Sequence, residues 1–175
     1  MKKQISRFYS RQAPRLRSGL KGFTLIELLV VIAIIGLLST LAVVSLNSAR
    51  SKARDARRTS DIRQLQTGLD MYYNDNGKYP IYIAGDTFDI GQTDSDVLST
   101  GVAAGFAAAG TGTTLMAQVP TDPQDTQKYY YKSDTTGTTY ELRFVLENAN
   151  SSWGCVASAT CFAIPGSISS TDPGL

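Results

Sequence analysis

The sequence predicts an α+β protein in which a long N-terminal helix, with a membrane-spanning half and an amphipathic half, packs on a small antiparallel β-sheet head. Three observations carry this prediction. An apolar run extends from Phe23 to Leu46, apolar residues at helical spacing continue to about Asn74, and strand-like alternation begins after Lys128. With 175 residues, the chain is long enough for one modest domain and an appendage.

The first 22 residues form a basic leader. Seven bases and no acid precede the apolar run, and the first acid of the chain is Glu27. A second cluster of six bases, from Arg50 to Arg63, is interrupted by only two acids. From Gln64 onward, four bases stand against twelve acids, so the net charge of +2 hides a basic N-terminal part and an acidic C-terminal part.

The run from Phe23 to Leu46 is predicted to cross a membrane once. A helix of this length reaches about 36 Å at ~1.5 Å per residue, which is enough for the hydrocarbon core of a bilayer. The excess of Lys and Arg before the span predicts a cytoplasmic N-terminus and an extracytoplasmic head, anchored in the cytoplasmic membrane. An ordinary cleaved secretory signal would have a shorter apolar stretch, a small-residue cleavage site and no acid.

One acid, Glu27, lies near the start of this run and needs an explanation. An unpaired charge at membrane depth costs roughly 2.5 to 3.5 kcal/mol on insertion scales. The surrounding segment, KGFTLIELLVVIAIIGLL, resembles the class III signal of type IV pilins and of the pseudopilins of type II secretion. The resemblance consists of Gly22 before an aromatic residue, then Thr-Leu-Ile-Glu, and then an unbroken apolar helix.

The resemblance implies how this segment is processed. A prepilin peptidase would cut between Gly22 and Phe23, and the new Phe23 amine would be N-methylated. Residues 1–22 would be a cleaved leader, and residues 23–46 would remain as the transmembrane and filament-core helix. Glu27 of one subunit would meet the Phe23 amine of a neighbour and fix the axial register of assembly. Without the flanking motif, a carboxylate reaching the lipid headgroups would be the simpler interpretation of Glu27.

The function that the resemblance implies is structural and not enzymatic. The subunit would be stored in the membrane and assembled into a type IV pilus-like filament or a type II secretion pseudopilus, in the periplasm or on the cell surface. Its partners would be further copies of itself, the prepilin peptidase, the assembly platform and ATPase machinery, and membrane lipid. Two alternatives stay open: a single-pass anchor for an extracytoplasmic binding domain, and a DNA-uptake (competence) pilin.

Residues 47–76 are predicted to continue the helix as its amphipathic half. No proline occurs after Phe23 until Pro80, and the apolar residues at positions 62, 65, 69 and 72 or 73 follow helical spacing on one face. The segment from Asn74 to Gly77 predicts the end of the helix, with Gly77 suited to a left-handed cap.

Arg50, Arg54 and Arg57 are predicted to share a solvated face of this helix. Such a face could instead fit the acidic part of another subunit, since opposite charges orient association, or it could attract nucleic acid phosphates. Nucleic acid is the weaker alternative, because the head is acidic and no aromatic stacking platform accompanies the bases.

Residues 77–175 are predicted to form the head. The segment 81–127 is rich in Gly, Ala, Ser and Thr, which predicts a variable connector with a short helix within residues 94–110 and a turn at VPTDPQ. A hairpin is predicted at KYYYKSDTTGTTYELRFVLEN, where aromatic and β-branched residues flank the turn from Asp134 to Gly137. A third strand is predicted at CFAIPG.

Two cysteines, Cys155 and Cys161, lie close together near the C-terminus. In an exported head, an even pair at this spacing predicts a disulfide that closes a small loop, and two reduced thiols are the alternative. Trp153 beside them is either a core residue or an exposed contact, and the sequence does not decide between the two.

No catalytic residue is predicted. The chain contains no histidine, which excludes serine-histidine and cysteine-histidine nucleophiles and histidine-based metal sites. Four aspartates between Asp86 and Asp96 form a weak calcium-like cluster without EF-hand spacing. We therefore predict a solvated loop there, with no metal and no cofactor.

Overall fold

The computed structural model describes residues 22–82, 88–91, 95–100, 105–108 and 112–175. The chain divides into two compact units, the first ending at Ala42 and the second spanning Val43–Leu175. One long helix, α1 (Leu25–Asn76), contributes residues to both units, and the strands follow it in the second unit. The predicted α+β class is therefore confirmed.

The C-terminal end of α1 lies where the sequence predicts it. The helix ends at Asn76, and Gly77 adopts the left-handed conformation with φ +68°. The backbone N–H of Gly77 donates a hydrogen bond of 2.7 Å to the carbonyl oxygen of Tyr73. Glycine suits this position because it has no Cβ to clash with the backbone at positive φ.

The strands form two antiparallel sheets. One sheet has five strands in the order β1-β5-β6-β7-β8, and the other has three in the order β3-β2-β4. The strands in chain order are β1 (Phe88–Ile90), β2 (Val97–Ser99), β3 (Phe106–Ala107), β4 (Thr114–Met116), β5 (Tyr129–Ser133), β6 (Tyr140–Val145), β7 (Thr160–Ile164) and β8 (Ser167–Ser169).

The predicted hairpin is confirmed as β5 and β6. Tyr131 lies opposite Leu142, and Ser133 lies opposite Tyr140, so the hairpin closes at the predicted turn. The third predicted strand is β7, which pairs with β6 and begins one residue before Cys161.

The core of the second unit lies between α1 and the inner face of the five-stranded sheet. Ile62, Leu65 and Leu69 of the helix are fully buried, and Tyr72 is 2% exposed, whereas Tyr73 is 42% exposed. The sheet contributes side chains from alternating positions, namely Tyr129 and Tyr131 on β5, Tyr140, Leu142 and Phe144 on β6, and Cys161 and Ala163 on β7. Each large apolar side chain buried in this way contributes about 1.5 to 3 kcal/mol.

The short helix predicted within residues 94–110 is wrong for the described part of that segment. Val97–Ser99 and Phe106–Ala107 are strands that pair with each other. Val97, Leu98 and Phe106 are all buried. Burial and strand pairing here outweigh the weak helix preference of the alanine-rich sequence.

Gly68 allows α1 to approach the three-stranded sheet closely. A Cβ atom at this position would lie 2.9 Å from the Met116 methyl carbon and 3.2 Å from a Leu98 methyl carbon. The glycine lowers intrinsic helix stability by about 1 kcal/mol, and the close contact with β2 and β4 of the three-stranded sheet explains its place in the helix.

Candidate functional site

The first turn of α1 is closed by a reciprocal cap between Thr24 and Glu27. Glu27 Oε2 accepts a hydrogen bond from the Thr24 backbone N–H at 2.8 Å and another from the Thr24 hydroxyl at 2.7 Å. The backbone N–H of Glu27 donates to the Thr24 hydroxyl oxygen at 3.2 Å. This is a capping box, which supplies partners to N–H groups that have none inside the helix.

The two oxygens of the Glu27 carboxylate differ in their surroundings. Oε2 accepts both hydrogen bonds from Thr24, while Oε1 accepts none from the described residues. The cap therefore leaves one carboxylate oxygen available to a further donor. The sequence analysis missed the cap, although Thr-x-x-Glu immediately before an apolar run is its known signal.

Gly22 and Phe23 precede the cap and are exposed. Phe23 is 90% exposed, and a Cβ atom added to Gly22 would meet no other atom within 4 Å. The packing of the described residues therefore does not require glycine at position 22. The leader residues before it lie outside the described part of the chain.

The apolar side chains of the first half of α1 are exposed along their whole length. From Leu25 to Leu46, the large apolar side chains are 48–80% exposed. Among the described residues, α1 is the one helix long and apolar enough to cross a membrane, and none of its most apolar stretch is buried. The core helix of a water-soluble domain would bury such a surface, so this segment fits membrane anchoring.

A second group of polar residues, the Arg58 cluster, joins the other half of α1 to the head. It consists of Arg54, Asp55, Arg58, Asp122 and Glu147. Arg58 is fully buried, and its Nε and Nη2 donate to the two carboxylate oxygens of Asp122 at 2.7 and 2.9 Å. Its Nη1 donates to Asp55 and to Glu147, both at 2.9 Å.

Arg54 and Asp55 complete the Arg58 cluster. Arg54 donates two hydrogen bonds of 2.6 Å to the two oxygens of Glu147. Asp55 accepts the backbone N–H groups of Glu147 at 2.9 Å and Asn148 at 2.8 Å. The cluster thus fixes the helix against the segment that follows β6 and the loop that contains Asp122.

Two carboxylates of this cluster, Glu147 and Asp55, have lowered pKa values. Hydrogen bonding from Arg54 is the main cause that lowers the pKa of Glu147 to about 2. Burial opposes the charge on Asp55, but the N–H donors of Glu147 and Asn148 outweigh it and lower its pKa. Burial also opposes the charge on Arg58, and the surrounding carboxylates raise its pKa nonetheless. Glu147, Asp55 and Arg58 are therefore charged throughout the neutral range.

The predicted solvated face of basic residues needs a correction at Arg54. Its side chain is 31% exposed and is paired with Glu147, because its position on the helix faces the head. Arg57 is 62% exposed, as the prediction requires, and Arg50 is exposed too. The sequence analysis missed Arg58, which lies four residues before Ile62 on the buried stripe. A charged residue in that stripe was a signal that a buried partner existed.

The structure joins Cys155 and Cys161 by a disulfide, with Cα atoms 5.8 Å apart. Both residues are buried. Trp153 packs on the core, with its ring edge-on to Phe144 at 6.4 Å between centroids. The guanidinium carbon of Arg63 lies 5.6 Å from the centroid of the Trp153 ring. Trp153 is therefore a partly buried core residue.

The aspartate-rich segment is only partly described. Asp86 and Asp94 lie outside the described residues, and Asp89 forms an ion pair with Lys128. The described residues contain no group of three or more His, Cys, Asp or Glu side chains that could hold a metal ion.

The comparisons with known proteins cover no more than about a third of the chain. Residues 17–43 match the family described as the prokaryotic N-terminal methylation motif. The chain therefore carries the N-terminal methylation motif, which includes the Thr24–Glu27 cap and most of the exposed apolar half of α1. The resemblance to type IV pilins and type II secretion pseudopilins is confirmed over this region.

The individual relatives, from a secretion system and a pilus, are in line with this resemblance. Type II secretion system core protein G of Pectobacterium carotovorum subsp. carotovorum is 47% identical over 60 residues, which are 34% of this chain and 38% of the relative. The protein of the same name from Dickeya chrysanthemi is 47% identical over 60 residues, 34% of this chain and 39% of the relative. The type IV wide pilus major component PilA4 of Thermus thermophilus is 42% identical over 59 residues, 34% of this chain and 45% of the relative.

These matches leave most of each protein uncompared. The chain spans about two fifths of the length of the curated relatives it matches. No solved structure matches the chain. The relatives are named for a secretion system and a pilus, and not for a catalytic activity.

Proposed function

We propose that this chain is the structural subunit of a type IV pilus-like filament or a type II secretion pseudopilus. A prepilin peptidase cuts it between Gly22 and Phe23, and the new amine of Phe23 is N-methylated. The retained helix anchors the subunit in the cytoplasmic membrane, with its head outside the cytoplasm. Further copies then pack through the apolar half of α1, with the assembly platform and ATPase machinery as partners. The similarity of about a third of the chain to core protein G and to PilA4, together with the N-terminal methylation motif, supports this proposal.

The observation that carries the proposal is the state of Glu27. Its Oε2 is occupied by the Thr24 cap, and its Oε1 accepts no hydrogen bond from the described residues. A cationic amine at Phe23 of a neighbouring copy would supply a donor and an opposite charge to that oxygen. A buried charge costs several kcal/mol when unpaired, so this contact would favour one axial register over others.

A second observation, made at Gly22, supports the proposed cleavage. No packing contact of the described residues requires glycine there, since a Cβ atom would meet nothing within 4 Å. Its φ does not lie in the left-handed region that excludes other residues. The presence of glycine is then explained by a requirement of the peptidase and not by the fold.

The test is mass spectrometry of the N-terminus of the full-length chain expressed with a prepilin peptidase. We expect a mature protein that begins at N-methylated Phe23. A Gly22→Val variant should insert into the membrane and retain its leader, and an Ala53→Val variant, exposed on the same helix, should be processed normally. An intact leader in the unaltered chain, or a start at another residue, would contradict the proposal.

The same experiment separates the proposal from a plain membrane anchor. An anchored binding domain would keep its leader, so its N-terminus would not be Phe23. A subunit of a DNA-uptake pilus would be cleaved at Phe23 and form fibres, so it must be distinguished by loss of DNA uptake in a deletion strain.

A further inference from the structure

We propose that a groove between α1 and the free edge of β8 binds an extended peptide segment of another protein, which adds to the five-stranded sheet as a further antiparallel strand. This edge groove lies in the second unit of the chain. It is lined by side chains of α1, by Trp153 and by the start of β8, namely Arg63, Gln66, Thr67, Asp70, Trp153, Gly166, Ser167 and Ile168. The inference goes beyond the proposed function, and it requires no contact between copies.

The strand β8 is an open edge of its sheet. It is the last strand in the order β1-β5-β6-β7-β8, and no described strand pairs with its outer side. Its residues, Ser167–Ser169, include neither a charge nor a proline, which are the features that commonly protect an edge from further pairing. The strand β1 at the opposite edge carries Asp89. The backbone of β8 is therefore the less protected of the two edges.

The register of the sheet determines which backbone groups of β8 point outward. In the β5–β6 hairpin, the Asp134 N–H donates to the Thr139 carbonyl oxygen at 3.3 Å, so these two residues form a hydrogen-bonded pair. Such pairs alternate with non-hydrogen-bonded pairs along an antiparallel ladder. Carried across β6 and β7, this alternation makes Ala163 and Ile168 a non-hydrogen-bonded pair. Ile168 therefore directs both its N–H and its C=O toward the open edge.

The helix wall of the edge groove is one continuous face of α1. Its four residues are spaced by three or four positions, and such residues are neighbours on a helix surface. Gln66 Nε2 donates to the carbonyl oxygens of Ile164 at 3.0 Å and Ser167 at 3.4 Å, which holds this face beside the turn between β7 and β8. The wall and the edge thus keep a fixed separation.

The cavity between the helix wall and the edge can take side chains of an added strand. Its volume is about 590 Å³, within the roughly 300 to 1,000 Å³ of ordinary ligand pockets. Ile168 packs against the core, so its side chain lies on the sheet face that looks toward α1. A peptide residue paired with Ile168 places its own side chain on the same face, and hence in the cavity.

The edge groove is basic at one end. Arg63 is exposed and forms no ion pair with the described residues, and its guanidinium carbon lies 5.6 Å from the centroid of the Trp153 ring. A Cβ atom added to Gly154, the next residue, would lie 3.4 Å from the Ser170 hydroxyl oxygen. Arg63 therefore lies toward the C-terminal end of β8, and it can accept an acidic partner there.

The other end of the edge groove is acidic. Asp70 is one helical turn beyond Gln66, which contacts Ser167 at the start of β8. Asp70 is exposed, and among the described residues its carboxylate accepts the Tyr79 hydroxyl at 3.3 Å. A base of a bound peptide would neutralise it. The opposite charges at the two ends give the groove a direction.

These features define the chemistry of the peptide. An antiparallel strand has its N-terminal part beside the C-terminal end of β8, so the acid comes first and the base follows. Arg63 and Asp70 are seven positions apart, or about 10 Å along the helix. Two peptide residues on one face and four positions apart span about 13 Å, a difference that long charged side chains can accommodate. An apolar residue between them would contact Ile168 and Trp153.

The first test is a titration of the full-length chain in detergent with the peptide acetyl-Thr-Glu-Thr-Val-Thr-Lys-Thr-amide. Trp153 is the one tryptophan of the chain and lines the groove, so its fluorescence reports binding. We expect a saturable change. The peptide with Glu and Lys exchanged should bind about tenfold more weakly, because like charges then meet at both ends. No saturable change, or equal affinity of the two peptides, would overturn the inference.

N-methylation of the peptide tests strand addition itself. Methylation of the valine nitrogen removes the N–H that donates to the Ile168 carbonyl oxygen, and should weaken binding about tenfold or more. Methylation of the threonine nitrogen that follows is the matched control, because that N–H points away from β8. Equal losses with the two methylated peptides, or no loss with either, would overturn the pairing with β8.

Charge reversal at Arg63 tests the direction of binding from the side of the protein. Arg63→Glu should weaken binding of the first peptide about tenfold, and replacement of the peptide's Glu by Lys should restore it. Arg50→Glu, at an exposed base of the same helix outside the groove, should leave binding unchanged. Absence of this rescue would contradict the assignment of Arg63. If circular dichroism shows that Arg63→Glu is misfolded, the two methylated peptides decide.

A second copy of the chain is the alternative occupant of the edge. It would appear in light scattering as a dimer that Arg63→Glu dissociates, with no binding of the peptide, and this result would overturn the proposal. Failure of any of these tests leaves the proposed function in place, since cleavage before Phe23 and fibre formation are measured separately.

Discussion

The Arg58 guanidinium and the Asp122 carboxylate form a buried two-bond pair, at 2.7 and 2.9 Å, between residues that are 64 positions apart in the chain. Both side chains are almost completely shielded from water, with 0% and 1% exposure. The pair links the middle of α1 to the loop before β5. Because charges so deeply buried are costly unless paired, each partner depends on the other.

Replacement of Arg58 should therefore destabilise the second unit severely. Arg58→Met keeps much of the side-chain volume but leaves Asp122 buried without its partner, so we expect a loss of about 3 to 5 kcal/mol in the free energy of unfolding. Urea unfolding of the full-length chain in detergent, followed by Trp153 fluorescence, measures this. Arg57→Met, at a side chain that is 62% exposed, is the control and should change stability by less than about 0.5 kcal/mol.

A double variant tests whether the loss of stability comes from the unpaired charge of Asp122. Asp122→Asn combined with Arg58→Met removes both charges, and it should be more stable than Arg58→Met alone. Equal stability of the two variants would mean that packing of the Arg58 side chain, and not its charge, matters most.

The Arg58 cluster should make the second unit sensitive to acid. The folded-state pKa of Glu147 is about 2, against an ordinary value of 4.5, and the pKa of Asp55 is lowered too. A lowered pKa gives stability that is fully present above the ordinary value and is lost as pH falls through the folded value. We therefore expect the unfolding free energy to fall between about pH 4.5 and pH 2.

Glu147→Gln provides the control for this pH dependence. It should be less stable than the unaltered chain at pH 7, and its stability should fall less steeply between pH 4.5 and pH 2. Asp61 has the opposite effect on the pH dependence of stability. Burial raises its pKa, so protonation in acid removes the cost of burying its charge. A slope unchanged by Glu147→Gln would assign the acid sensitivity to other groups.

The disulfide should stabilise the end of the head to a modest extent. Cys155 and Cys161 are separated by six positions, and a loop of this size gives about 2 kcal/mol in the chain-entropy estimate. We expect Cys155→Ala with Cys161→Ala to lower the free energy of unfolding by about that amount, or somewhat more if packing is lost. Added reductant should destabilise the unaltered chain and leave the double variant unchanged. Val156→Ala, in the same loop at a 62% exposed side chain, should have little effect.

The parts of this fold that follow from local pattern could be predicted from the sequence. The end of α1 at Asn76 depends on Gly77, and the hairpin depends on alternation around the turn that ends at Gly137. The strands β2, β3 and β4 could not be predicted, because they are two or three residues long and exist through pairing with distant segments. The partners of Arg58 could not be predicted either, since nothing in the local sequence distinguishes Asp122 from other acids of the head.

The candidate site also has one part that the sequence predicts and one part that it does not. The motif around Glu27 is local, and the Thr24 cap is a relation across three positions that a sequence can display. Which bases on α1 are exposed and which are paired cannot be predicted from the local sequence. It depends on which side of the helix faces the head, so Arg54 is paired while Arg57, three positions later, is exposed.

Glu27→Gln should separate the two roles of the carboxylate. A glutamine side-chain oxygen can still accept the Thr24 N–H, so the start of α1 should be preserved, but its charge is lost. We therefore expect membrane insertion and cleavage before Phe23 to continue while the yield of sheared fibres falls on the order of tenfold, since no carboxylate remains to meet a neighbour's amine. Thr40→Val is the matched control in the same helix, because the Thr40 hydroxyl donates only to the Leu37 carbonyl oxygen, at 2.8 Å. Normal fibres from Glu27→Gln would show that the cap alone explains Glu27, and would remove the pairing role from the proposed mechanism of assembly.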